Sequence, residues 1–114
     1  MGTWGAGIFD NDLASDIRDV YLVTVAEGSP AEQAALQTQT RFSSVLHDSD
    51  ESIVFWLALA AIQRHYGHVT DAVKNEALRV IASGLDEQRW KDASPENQQT
   101  RKQVLQELRA KLTT

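Results

Sequence analysis

Apolar positions recur along this chain at spacings of three and four, the period of a helix with one buried face. Leu13, Ile17, Val20 or Tyr21, and Thr24 mark such a face over a first helix from about Asp12 to Ala26. Asp10 or Asp12 is placed to cap its start, and Gly28 follows its end. Ser29-Pro30-Ala31-Glu32 then has the form of a capping box with proline at the first helical position. The second helix so opened carries Ala35, Leu36, Phe42, Val45 and Leu46 as its apolar residues. Gln37-Thr38-Gln39-Thr40 is weakly helical and allows a break before Phe42.

His47-Asp48-Ser49-Asp50-Glu51 is an acidic joint that caps a third helix, about Asp50 to Tyr66, closed by Gly67. From Ile53 to Ile62 every residue is apolar, so no face is left for solvent. A helix of that kind must be enclosed by others, and the small Ala58, Ala60 and Ala61 let neighbours approach closely. The run is ten residues, about half of what a bilayer requires, so it predicts a core helix and no membrane partner. Thr70 caps a further helix, Asp71 to Ser83, with Val73, Ala77, Leu78 and Ile81 facing inward and Gly84 at its end. Asp86 to Trp90 reads as a short turn. Ser94-Pro95-Glu96 starts a last helix to about Leu112, striped by Val104, Leu105, Leu108 and Leu112.

No segment alternates like a strand. The expected fold class is therefore all-α: one domain over residues 1–114, a compact bundle of five or six helices around a buried helix at about 50–66. Residues 1–9 hold three glycines and no helical period, which predicts an N-terminal arm pinned to the body by Trp4, Ile8 and Phe9.

Composition removes several kinds of chemistry. Cysteine is absent, which excludes disulfides, thiolate metal sites and cysteine catalysis, and suits a reducing cytoplasm. The opening residues lack the basic and apolar regions of a secretory signal, so a cytoplasmic location is expected. Net charge is −5 and unevenly spread. Residues 1–51 carry nine Asp/Glu against Arg18 and Arg41, whereas residues 52–114 carry nine Lys/Arg against seven Asp/Glu. The acidic half argues against nucleic acid, which needs a basic stripe, and favours a basic protein partner.

Gly5-Ala6-Gly7 opens like a dinucleotide loop, but Asp10 stands where the third glycine belongs and no strand precedes it, so no cofactor is expected. Asp10, Asp12, Asp16 and Asp19 form the densest cluster of chemistry-bearing groups, and Asp12, Asp16 and Asp19 share one helix face at i, i+4 and i+7. Such a row suits a hard cation or a basic partner, and acidic residues in a helix's first turns also complement its dipole. His65 and His68 straddle Gly67, with His47 elsewhere, and form no zinc pattern; no metal site is assigned. Trp56 belongs to the core. Trp90 sits beside polar residues, where a tryptophan can anchor a partner.

Met1-Gly2-Thr3-Trp4-Gly5-Ala6-Gly7-Ile8-Phe9-Asp10-Asn11-Asp12 resembles the N-terminal signature of the bacterial domain-of-unknown-function family 4259. Phe55-Trp56-Leu57-Ala58-Leu59-Ala60 and the stretch from Ser83-Gly84-Leu85-Asp86 to Trp90 are similar to the same group. The resemblance implies a small, mainly helical protein and supplies no catalytic residues.

The function expected from these features is a non-enzymatic protein-binding module. It would be of immunity or antidote type and mask a basic effector such as a toxin, as a monomer or homodimer. Asp12, Asp16, Asp19 and Trp90 are its expected partner-binding residues. One alternative is a small metal-assisted hydrolase using Asp10, Asp12 and Asp16; a second is a homo-oligomeric structural protein.

Overall fold

The computed structural model describes residues 7–113. They form α1 (Asp12–Ala26), α2 (Ala31–Arg41), α3 (Ser43–Leu46), α4 (Ser49–His65), α5 (Asp71–Ser83), α6 (Leu85–Arg89) and α7 (Pro95–Thr113), with no strand among them. The all-α bundle expected from the periodicity is what the chain builds. The two short helices α3 and α6 raise the element number to seven among the described residues. Trp4 of the expected arm lies outside them.

The middle of α4 is enclosed as its composition demands. Eight of the ten residues from Ile53 to Ile62 are buried, with Trp56 and Ala61 half-buried. Helices α1, α3, α5, α6 and α7 all pack against it. Phe55, fully buried, meets Phe42 at 6.2 Å and the edge of Trp56 at 5.1 Å between ring centroids. Burial of each such side chain contributes about 1.5–3 kcal/mol, which makes α4 the principal apolar contributor to stability.

Several helix starts differ in detail from expectation. The cap of α1 is Asn11, whose side chain accepts from the Ala14 amide at 2.8 Å, and neither Asp10 nor Asp12 fills that role. Asp10 instead turns back and accepts from the Gly7 amide at 2.9 Å. Ser29 makes no capping bond: the N-cap of α2 is Pro30, and the Ser29 amide donates to the Thr24 carbonyl at 3.3 Å and closes the end of α1. Leu36, expected inside, is 61 % exposed: the buried face of α2 is the narrow row Ala34, Ala35 and Thr38. Thr70 precedes α5 as expected, but its hydroxyl and amide both donate to Gln63 Oε1, at 3.2 and 3.1 Å.

Two polar arrangements lie inside this apolar body. The first is Gln63, fully buried near the end of α4. Its Oε1 holds the start of α5, while its Nε2 and the buried Tyr21 hydroxyl of α1 have no geometrically satisfied hydrogen bond. Burial pushes the Tyr21 phenol above its ordinary value of 10.0, and its polar contact with Gln63 opposes that shift more weakly. The second is a buried ion pair. Asp86 of α6 accepts from Arg101 of α7 at 2.7 and 2.9 Å in a bidentate pair, and from Arg89 at 3.2 Å. Arg101 also donates to the Gly7 carbonyl at 3.2 Å and lies 5.2 Å from the Trp90 ring. One guanidinium thereby joins α6, α7 and the segment that leads into α1. Gly84, with φ +73°, makes the left-handed turn that brings α6 directly after α5.

Three outcomes follow. Asp86→Leu or Arg101→Met alone breaks the buried bidentate pair and destabilises by about 3–5 kcal/mol; the two combined cost less than the sum, as read by urea unfolding. Phe55→Ala costs about 3–5 kcal/mol, while Leu36→Ala changes stability by less than about 0.5 kcal/mol in the same measurement. The folded chain favours the neutral Tyr21 phenol, so its contribution is whole below pH 10.0 and is lost as pH rises through the higher folded-state value. Ultraviolet titration should show a tyrosine ionisation that accompanies alkaline unfolding, and Tyr21→Phe removes that step.

Candidate functional site

Helix α1 turns Ala14, Ile17, Tyr21 and Thr24 into the core. The same period sends Asp12, Asp16, Asp19 and Val23 outward, and all four are exposed. Asp19 pairs with Arg18 at 3.2 Å, and both are solvated enough that the pair contributes at most about 1 kcal/mol. Asp12 and Asp16 have no cationic partner among the described residues. The row continues into a groove of about 380 Å³ between α1 and α2. Asp19, Val23 and Glu27 form one wall of it, and Gln37 and Arg41 the other. Val23, 58 % exposed, is the apolar element between the carboxylates of Asp19 and Glu27.

This arrangement is a ridge of negative charge flanking a shallow apolar strip. It does not gather its carboxylates around a point. Asp10 is occupied by the Gly7 amide, whereas Asp12 and Asp16 project from the helix, so the three do not converge. Among the described residues, no group of three or more His, Asp or Glu side chains is placed to hold a metal ion. The histidines stand apart from the aspartates. His47 Nδ1 lies 2.8 Å from the Ser43 carbonyl, and His65 packs edge-on to Tyr66 at the end of α4.

Trp90 is not brought to the α1 face. It follows α6, half-buried, with the Arg101 guanidinium near its ring, and it lines a separate groove of about 600 Å³ beside Gln98 and Lys102. The anchoring surface expected of it is thus partly occupied from within the chain.

Sequence reasoning passed over Asp86 and Arg101, although a signal was present. Arg101 stands one turn before Leu105 on the stripe 101, 105, 108 and 112 of α7, all four buried. A charged residue on a buried stripe requires a partner, and Asp86 is that partner. Val23 was hidden for the opposite reason, since the polarity of a residue type does not reveal which apolar side chain the packing leaves outside.

No helix of the described residues is long and apolar enough to cross a membrane. No curated protein and no solved structure matches the chain. A family model does, over residues 2–113, which takes in the Gly7–Asp10 turn, the enclosed α4 and the Asp86–Arg101 pair together. The chain belongs to the family described as domain of unknown function (DUF4259).

Proposed function

We propose that this protein is a non-enzymatic, cytoplasmic protein-binding module whose α1–α2 face masks a basic surface of a protein effector, in the manner of an immunity or antidote protein. The observation that carries the reading is the outward row Asp12, Asp16, Asp19 and Val23, continued by Glu27 along the groove against α2. Carboxylates that do not converge on an ion, two of them without a cationic partner, suit an extended cationic surface better than a reaction centre. Exposed Val23 adds an apolar contact that a purely solvating face would lack. Rows of charge of this kind act most on association rate and on the choice of partner, and their effect is screened by salt.

Photo-crosslinking tests this directly. With benzoylphenylalanine at Asp16 or Val23, in cells that encode the chain, a basic protein should be captured. The same group at exposed Asn75 of α5 should not capture it. Once that partner is purified, Asp12→Lys, Asp16→Lys and Asp19→Lys together should weaken binding by about tenfold or more and flatten its salt dependence. Capture from Asn75 alone, no capture at all, or equal affinity of the charge-reversed protein overturns the reading.

A further inference from the structure

The geometry points to a second, independent site: the groove between α1, the end of α4 and α7 binds a small amphipathic carboxylate, an anionic head on an aliphatic or aromatic body. This groove measures about 640 Å³, within the range of small-molecule pockets, and shares no lining residue with the α1–α2 groove. Its apolar side is formed by Phe9, Leu22, Ile62 and Leu108. Its polar side reverses the charge of the molecule as a whole. Arg18, Arg64 and Lys111 line it against Glu107 alone, in a chain whose net charge is −5.

Arg64 is the residue suited to the head group. It is half-buried, and its Nε donates to the Lys111 carbonyl at 3.1 Å, which fixes the guanidinium plane. Its two terminal nitrogens have no hydrogen-bond partner among the described residues. A guanidinium anchored through Nε presents the remaining fork to a carboxylate with little further loss of freedom. Arg18 stands on the α1 side, 5.3 Å from the Phe9 ring, with Asp19 neutralising part of its charge. The planar fork of Arg64 matches a carboxylate, whose two oxygens it can engage side by side. The apolar wall supplies the rest of the recognition, since burial of a hydrocarbon body scales with the area it covers.

Decanoate is a suitable probe, compared with decanol and decyltrimethylammonium by calorimetry on the full chain. Saturable one-to-one binding of decanoate is expected, about tenfold or more tighter than that of decanol, with the cation weakest. Arg64→Gln should cost about tenfold for decanoate and leave decanol unchanged. Glu107→Gln, an exposed substitution that leaves the fold intact by circular dichroism, should tighten decanoate and not decanol. Equal binding of decanoate and decanol, no saturable decanoate binding, or indifference of decanoate to both Arg64→Gln and Glu107→Gln overturns the site. None of these readouts depends on the α1–α2 face, so the two proposals fail separately.

Discussion

The structure depends on one constraint, the burial of a helix that has no polar side. From Ile53 to Ile62 α4 offers nothing to water, so its free energy is minimised only when other helices surround it. Five of them do. Its most extensive contacts are with α1 and α5, and α3, α6 and α7 complete the enclosure. Alanines at 58 and 60 are buried and bring neighbouring backbones close, whereas Phe55, Leu57 and Leu59 supply the volume that fills the interior.

A core that is only apolar does not decide which helix lies where, and here buried polar groups supply direction. Gln63 sits at the last buried position of α4 and holds the first residues of the next helix through Thr70. The Asp86–Arg101 pair does the same at the other end of the chain, where α7 must return over α6 and meet the segment before α1. The ion pair is costly if half-formed, which penalises alternative arrangements more than apolar contacts can. Gly7 belongs to this second arrangement. Its carbonyl accepts from Arg101, its amide donates to Asp10, and a side chain there would stand 2.8 Å from the Asp10 carboxylate.

The same packing produces two flanks of opposite character on α1. The outward row of Asp12, Asp16 and Asp19 is negative, while Arg18 and Leu22, one step around the helix, face a groove closed by Arg64 and Lys111. The acidic row lies outside the core, whereas the groove shares Ile62 and Leu108 with it, so its apolar lining serves stability as well.

Much of the fold was legible in the residues themselves. Helical period, cap residues and the unbroken apolar run of α4 are local properties, so the all-α class, the enclosed helix and the outward spacing of Asp12, Asp16 and Asp19 could be read directly from the sequence. The identity of the α1 cap could not, because Asp10, Asn11 and Asp12 are all competent and only the Gly7 turn removes Asp10 from the choice. Nor could the exposure of Leu36, since its helix presents the narrow face of Ala34, Ala35 and Thr38 to α1 and α3. The pairing of Asp86 with Arg101, and the meeting of Arg18, Arg64 and Lys111 around one groove, join residues far apart in the chain. Local propensity sets which residues are helical and which face is apolar; only the closing of helices around α4 sets which charges become neighbours.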